Sequence, residues 1–290
     1  MVTIFRYTLR RFRGQIIGWG LALALMGVLI VSMYDSFAAE QEAFAELLKV
    51  YPPEISAFMG DLSTMATPEG WVSLEFFSYM PLILGIFAVL MGSGLLVSDE
   101  ENGRLDLIMA YPMSRTALFM GRLLAFVAAT VAILAIAWLG LVVPMTWSLM
   151  DIGWGRMCLP LLSLLAELLL FGTLALLLSM VLPSRRLAAT TAGLLLVASF
   201  FITGLAKLNE NLEAVARLSP LNYYQAQEAF QGLNGAWLAG LLAAAVLFAA
   251  LAWWRFWRRD IRVGGEGGWR WPSLSLPFRR GLPPTRWRTP

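Results

Sequence analysis

Two acidic residues, Glu100 and Glu101, stand just ahead of Arg104, and Ser93 sits between Gly92 and Gly94. The acidic pair would suit hydrolysis by an intramembrane protease, and the serine an intramembrane nucleophile. Both chemistries need histidine as metal ligand or general base, and the chain has no histidine. The serine also lacks a glycine two residues before it, because Met91 stands there. The single cysteine, Cys158, allows no internal disulfide framework, and without histidine it leaves zinc and haem without their usual ligands. No G-x-x-x-x-G-K-[ST] run occurs, and neither Lys49 nor Lys207 follows a glycine-rich loop. ATP hydrolysis by a P-loop is therefore excluded for this chain. No catalytic residue, metal ligand or bound cofactor is expected in it.

One carboxylate remains, Glu167, and it lies inside an apolar run. Placing it in hydrocarbon costs ~2.5–3.5 kcal/mol on insertion scales, which makes a functional role the default. It could line a pathway, relay a proton, or pair with an arginine across a subunit interface. It could equally be a protonated acid bonded to a neighbouring helix.

The elements that hold these residues are membrane helices. Hydrophobic residues make up 59% of the 290, and charged residues only 14%, far from the balance of soluble domains. The apolar residues come in blocks long enough to cross a ~30 Å hydrocarbon layer. Backbone groups in lipid must be satisfied internally, so the blocks read as helices, and the alternating strands of a barrel are missing. The expected spans are Gln15–Met33, Phe76–Ser98, Arg122–Trp147, Leu159–Leu182, Ala188–Leu205 and Gly235–Trp254. The first apolar run is too long for a cleaved signal peptide. Its fold class is thus an all-α polytopic membrane protein.

Basic residues orient it. With the N-terminus inside, the segments 1–14, 99–122, 183–187 and 255–290 carry 18 Arg and Lys, and the segments 34–75, 148–158 and 206–234 carry 4. The positive-inside rule then puts both termini in the cytoplasm. Trp19, Tyr34, Trp71, Tyr79, Trp147, Trp154, Trp253, Trp254 and Trp257 cluster at span ends, as interfacial anchors do.

Between the spans, several segments carry their own pattern. Phe5, Leu9, Phe12 and Ile16 recur with helical period, and Arg6, Arg10 and Arg13 share a neighbouring face. This predicts an amphipathic interfacial helix over 1–14, although a basic topology signal would use the same charges. In 34–75, Ala38–Val50 has helical character and Pro53 could open a second short helix, a lid or a packed cap. In 99–121, Gly103 allows a turn, and Leu105, Ile108 and Met109 form an apolar stripe flanked by Arg104 and Asp106. Pro112 ends that stripe and Ser114 is a natural N-cap for the next helix, which starts near Arg115. The stripe needs lipid or a cytoplasmic protein to cover it, whereas a solvated loop would leave it unexplained. In 206–234, Pro220 and the tyrosines fit either a re-entry or a plain external loop. The tail 263–290 is rich in Gly, Pro, Trp and Arg, and predicts a disordered or membrane-associated segment with no nucleic-acid role.

Glu101-Asn102-Gly103-Arg104-Leu105-Asp106-Leu107, followed by Pro112-Met113-Ser114-Arg115, resembles the E-x-G-T-L-E-L-L-x-x-P-x-S-R pattern of type-2 ATP-binding-cassette (ABC) exporter permeases. Arg104 replaces the usual Thr and Asp106 the usual Glu. Pro68-Glu69-Gly70 with Leu74-Glu75-Phe76-Phe77, Leu218-Ser219-Pro220, and Arg258-Arg259-Asp260-Ile261 extend the likeness to about residue 262. The resemblance implies a permease domain over 15–262 in a bacterial plasma (inner) membrane, moving substrate outward. It implies two permease halves, as a homodimer or heterodimer, on two copies of an ABC ATPase subunit that holds the ATP and Mg. The segment around 103–110 would be the coupling helix docking on that ATPase, with Glu100, Glu101, Arg104, Asp106 and Arg115 as charged contacts. Residues 1–14 would be the interfacial helix, which touches the same subunit. A stand-alone secondary transporter with Glu167 as proton carrier, and a non-transporting scaffold or immunity protein, are the competing readings.

Overall fold

A computed structural model describes residues 1–39, 64, 67–105 and 113–258. Among these the helices are α1 (Val2–Ala39), α2 (Pro68–Val72), α3 (Met80–Gly94), α4 (Val97–Glu101), α5 (Arg115–Val142), α6 (Trp154–Val181), α7 (Arg185–Ala206), α8 (Glu213–Ala216) and α9 (Gly235–Arg258). Six stretches are long and apolar enough to cross a membrane: α1, Pro68–Gly94, Arg115–Thr146, α6, α7 and α9. The six-span, all-helical architecture expected from the apolar runs is therefore present. The expected helices in 40–63, the core of the coupling stripe at 106–112, and the tail lie outside the described residues.

The helix ends differ from the expected span ends for local reasons. The second membrane stretch starts at Pro68, eight residues before Phe76, because Thr67 caps it by accepting the Gly70 N–H. Pro68 fits the first helical turn, where its missing N–H costs nothing. A π-helical turn at Ser73–Phe77 then joins α2 to α3. At the other end α3 stops at Gly94, and the chain breaks at Leu95 and Leu96 before α4. The segments 1–14 and 15–39 form one uninterrupted helix, whose 38 residues span about 57 Å.

The bundle is built around α6, whose most apolar window is 67% buried, against 17% for α9 and 22% for α7. It packs on α3, α5, α7 and α9. Two crossings bring backbones into direct contact. A Cβ on Gly92 of α3 would overlap the Gly172 carbonyl of α6, and a Cβ on Gly140 of α5 would overlap Ala24 of α1. Small residues at such crossings let helices associate where no hydrophobic drive exists between them.

Trp71 and Tyr34 are not interfacial anchors. Trp71 is 5% exposed, donates its indole N–H to the Ile30 carbonyl at 3.0 Å, and stacks near Phe37 with ring centroids 4.5 Å apart. A buried tryptophan needs such a partner for its one donor. Trp147, Trp154 and Trp257 are exposed, as anchors would be.

Candidate functional site

The segment between α3 and α5 begins where an ion cluster around a buried carboxylate ties three helices together. Asp99 on α4 is 2% exposed. One of its carboxylate oxygens accepts from Arg122 of α5 at 2.7 Å, and the other from Arg11 of α1 at 2.9 Å. The Arg122 guanidinium also donates to the Leu95 carbonyl at 2.8 Å, which the break between α3 and α4 leaves without a helical partner. The broken helix, the carboxylate and the arginine thus satisfy one another, the condition a buried pair must meet to offset its desolvation.

Two residues further on, Glu101 reaches a fourth helix. Its carboxylate accepts the backbone N–H of Arg185 at 2.9 Å, at the first turn of α7. A negative charge there meets the positive end of the helix dipole. Ser184 caps the same helix from its own side chain, accepting the Leu187 N–H at 3.3 Å. α4 then closes with Gly103 at φ +64, with Arg104 N–H bonded to the Asp99 carbonyl and Gly103 N–H to the Glu100 carbonyl. This pair of bonds is the Schellman arrangement, which needs a left-handed residue at that point. The chain returns at Ser114, which accepts the Ala117 N–H at 3.1 Å and caps α5 as expected.

The expected docking residues therefore divide. Glu100 is buried, and Leu105 is only 2% exposed, so the start of the apolar stripe is covered by this chain and not by a partner. Glu101, Gly103, Arg104 and Ser114 are exposed, and Arg115 is half-buried with its guanidinium on the Trp257 carbonyl at 3.4 Å. Asp106, Ile108, Met109 and Pro112 lie outside the described residues. On α1, Arg6, Arg10 and Arg13 are exposed, and Phe5, Leu9 and Phe12 are half-buried. The most buried positions there are Ile4 and Thr8, which the expected stripe does not include. Ile4 packs where a Cβ on Gly121 of α5 would stand, 3.0 Å away, so the N-terminal turns rest on protein.

Sequence reasoning missed Asp99, Arg11 and Arg122. The sole sequence signal was charge near the ends of apolar runs, and nothing in it paired residues 88 and 23 positions apart.

At the other end of the bundle, the segment before α9 folds inward. Tyr224 donates its hydroxyl to the Phe77 carbonyl at 3.0 Å, and the Gln225 N–H donates to Ser163 of α6 at 2.9 Å. Gln225 also pairs with the Asn234 backbone in both directions, accepting from its N–H at 2.6 Å and donating to its carbonyl at 3.3 Å. Burial, with the Glu167 and Glu228 carboxylates adding to it, pushes the Tyr224 hydroxyl well above its usual pKa. Glu167 is fully buried on α6, and neither of its oxygens has a hydrogen-bond partner among the described residues.

A family model described as ABC-2 family transporter protein matches residues 10–261. The chain belongs to that family. It is a membrane-spanning permease component of an ABC transporter and is not itself the catalytic part. Permeases of this family generally partner with an ATPase subunit. The matched residues run from the N-terminal turns of α1 past the end of α9, so the ion cluster and the inward-folded segment both fall inside the ABC-2 domain. No curated protein matches the chain.

Proposed function

We propose that this ABC-2 permease moves its substrate outward across a bacterial inner membrane, driven by ATP hydrolysed on a separate ABC ATPase subunit. Both termini face the cytoplasm, where the basic residues concentrate. Two permease halves, identical or different, sit on two ATPase copies, which carry the ATP and Mg. The ATPase grips the segment between α4 and α5 and touches the exposed Arg6, Arg10 and Arg13 of α1.

The observation that supports this most is how the gripped segment is anchored. It leaves α4 just beyond Asp99 and Glu101, which reach α1, α5 and α7. It re-enters at Ser114, the N-cap of α5. A push on residues 106–112 would pass directly to three membrane helices through short, charge-assisted contacts. Glu101 acts within this transmission and not as a contact to the partner. Asp106, Ile108 and Arg104 are the residues assigned to the docking face.

The test is co-purification. Asp106→Lys with Ile108→Asp should leave the permease in the membrane at native thermal stability while abolishing capture of the ATPase and substrate-stimulated ATP hydrolysis. Labelling of single cysteines at 104 and 113, in a Cys158→Ser background, should occur only from the cytoplasmic side. Labelling from the opposite side, or full ATPase capture by the double variant, would overturn the assignment. Glu167 as the proton carrier of a free-standing transporter would instead give gradient-driven flux from this chain alone.

A further inference from the structure

A groove of about 600 Å³ opens between α1 and α3, directly against the ion cluster. Its polar end is lined by Arg11, Arg122, Arg185 and Asp99. Its walls away from that end are apolar, with Trp19, Ile86, Phe87 and Leu90. Trp19 lies eight residues beyond Arg11, so the apolar part extends about 12 Å along α1. Ile86 and Leu90 are 46% and 50% exposed, which leaves that side open to the surrounding bilayer.

Among the described residues, the charges at the polar end do not balance. Three guanidinium groups meet one lining carboxylate, and Asp99 is already engaged by Arg11 and Arg122. Arg185 has no carboxylate within ion-pair distance among the described residues. The Glu101 carboxylate accepts the Arg185 backbone N–H, and the Arg185 guanidinium donates to the Leu90 carbonyl at 3.3 Å. Gly94 makes room for that guanidinium, since a Cβ there would stand 2.9 Å from its carbon and nitrogens. The sequence thus places a cation that has no ion-pair partner among the described residues over an apolar slot at the end of two membrane helices. A guanidinium in this setting suits a phosphate, with its paired donors and full charge.

We propose that this groove holds a resident anionic phospholipid from the leaflet on the N-terminal side. Its phosphate sits on Arg185 and the outer edge of Arg11, and one acyl chain runs along Ile86, Phe87 and Leu90. A lipid seated there bridges α1 to α3 beside the Asp99 cluster. The inference depends neither on the direction of transport nor on where the ATPase docks.

Native mass spectrometry of the purified full chain, titrated with phosphatidylglycerol or phosphatidylcholine, tests it. Phosphatidylglycerol should bind more tightly. Arg185→Gln should weaken it about fivefold, the effect of one basic residue at an anionic surface, and leave phosphatidylcholine unchanged. Arg185→Lys should keep most of the preference. Leu90→Trp, at a half-exposed position, should weaken both lipids, and Arg217→Gln on a distant loop should weaken neither. Equal binding of the two lipids by the native chain would overturn the proposal, as would native affinity in Arg185→Gln. Competition by tail-free glycerol phosphate as effective as by the lipid would point to a soluble anion. ATP-driven movement of the bound lipid to the other leaflet would make it cargo. Either result also sinks the proposal of a resident lipid.

Discussion

Asp99 and Glu167 are both carboxylates withdrawn from water, 2% and 0% exposed, and the protein treats them in opposite ways. Asp99 is held by two arginines from two other helices, and one of those arginines closes a broken helix end as well. Glu167 has no hydrogen-bond partner among the described residues. Burial alone therefore does not mark a structural lock in this bundle. Full pairing does, and the paired carboxylate is the one next to the segment assigned to ATPase docking.

The sharpest way to break this contrast is to remove Asp99. Asp99→Ala leaves the Arg122 guanidinium buried without its counter-charge, and should destabilise the bundle by about 3–5 kcal/mol. Chemical unfolding in mixed micelles would measure it, and a loss below about 1 kcal/mol would show that the cluster is not a lock. The matching change at the other carboxylate has the opposite sign. Glu167→Leu removes an unpartnered buried carboxyl and should stabilise the fold, by up to ~2.5–3.5 kcal/mol on insertion scales. If Glu167→Leu destabilised instead, the carboxyl would have a structural partner after all. Reduced transport in the same variant at raised stability would mark Glu167 as functional.

Smaller effects sharpen the picture. Glu101→Gln keeps the shape but removes the charge at the first turn of α7, and should cost about 0.3–1 kcal/mol, less in high salt. A loss of coupling between ATP hydrolysis and transport, larger than this stability change predicts, would support its place in the transmission. Arg217 and Glu213 pair at 2.7 Å on the surface, both more than half exposed. Arg217→Ala should change the unfolding midpoint by nothing measurable, because an exposed pair of this kind contributes little.

How far each feature was legible in the sequence follows its range along the chain. Apolar runs are local, so all six membrane helices could be placed. The Ser114 cap and the Gly103 turn are also local, and both stand where their residue types predicted. Trp71 misled because a tryptophan near a span end looks the same whether it faces headgroups or, as here, the Ile30 carbonyl. The stripe on α1 suits a helix lying on lipid, whereas Ile4 packs against Gly121, which shifts the buried face by a residue. The pairing of Asp99 with Arg11 and Arg122 was invisible because tertiary packing alone brings those residues together.

The bare crossing at Gly92 and Gly172 has one more consequence. Two helices whose main chains touch have no side-chain layer between them to act as a bearing. α3 and α6 should then travel as a single strut through any transport cycle. The opening and closing of a path would fall to joints elsewhere, such as the interruption at Leu95 and Leu96. A single methyl group on Gly92, which would meet the Gly172 carbonyl, would pry that strut apart, and would test whether its rigidity is required for the machine to turn over.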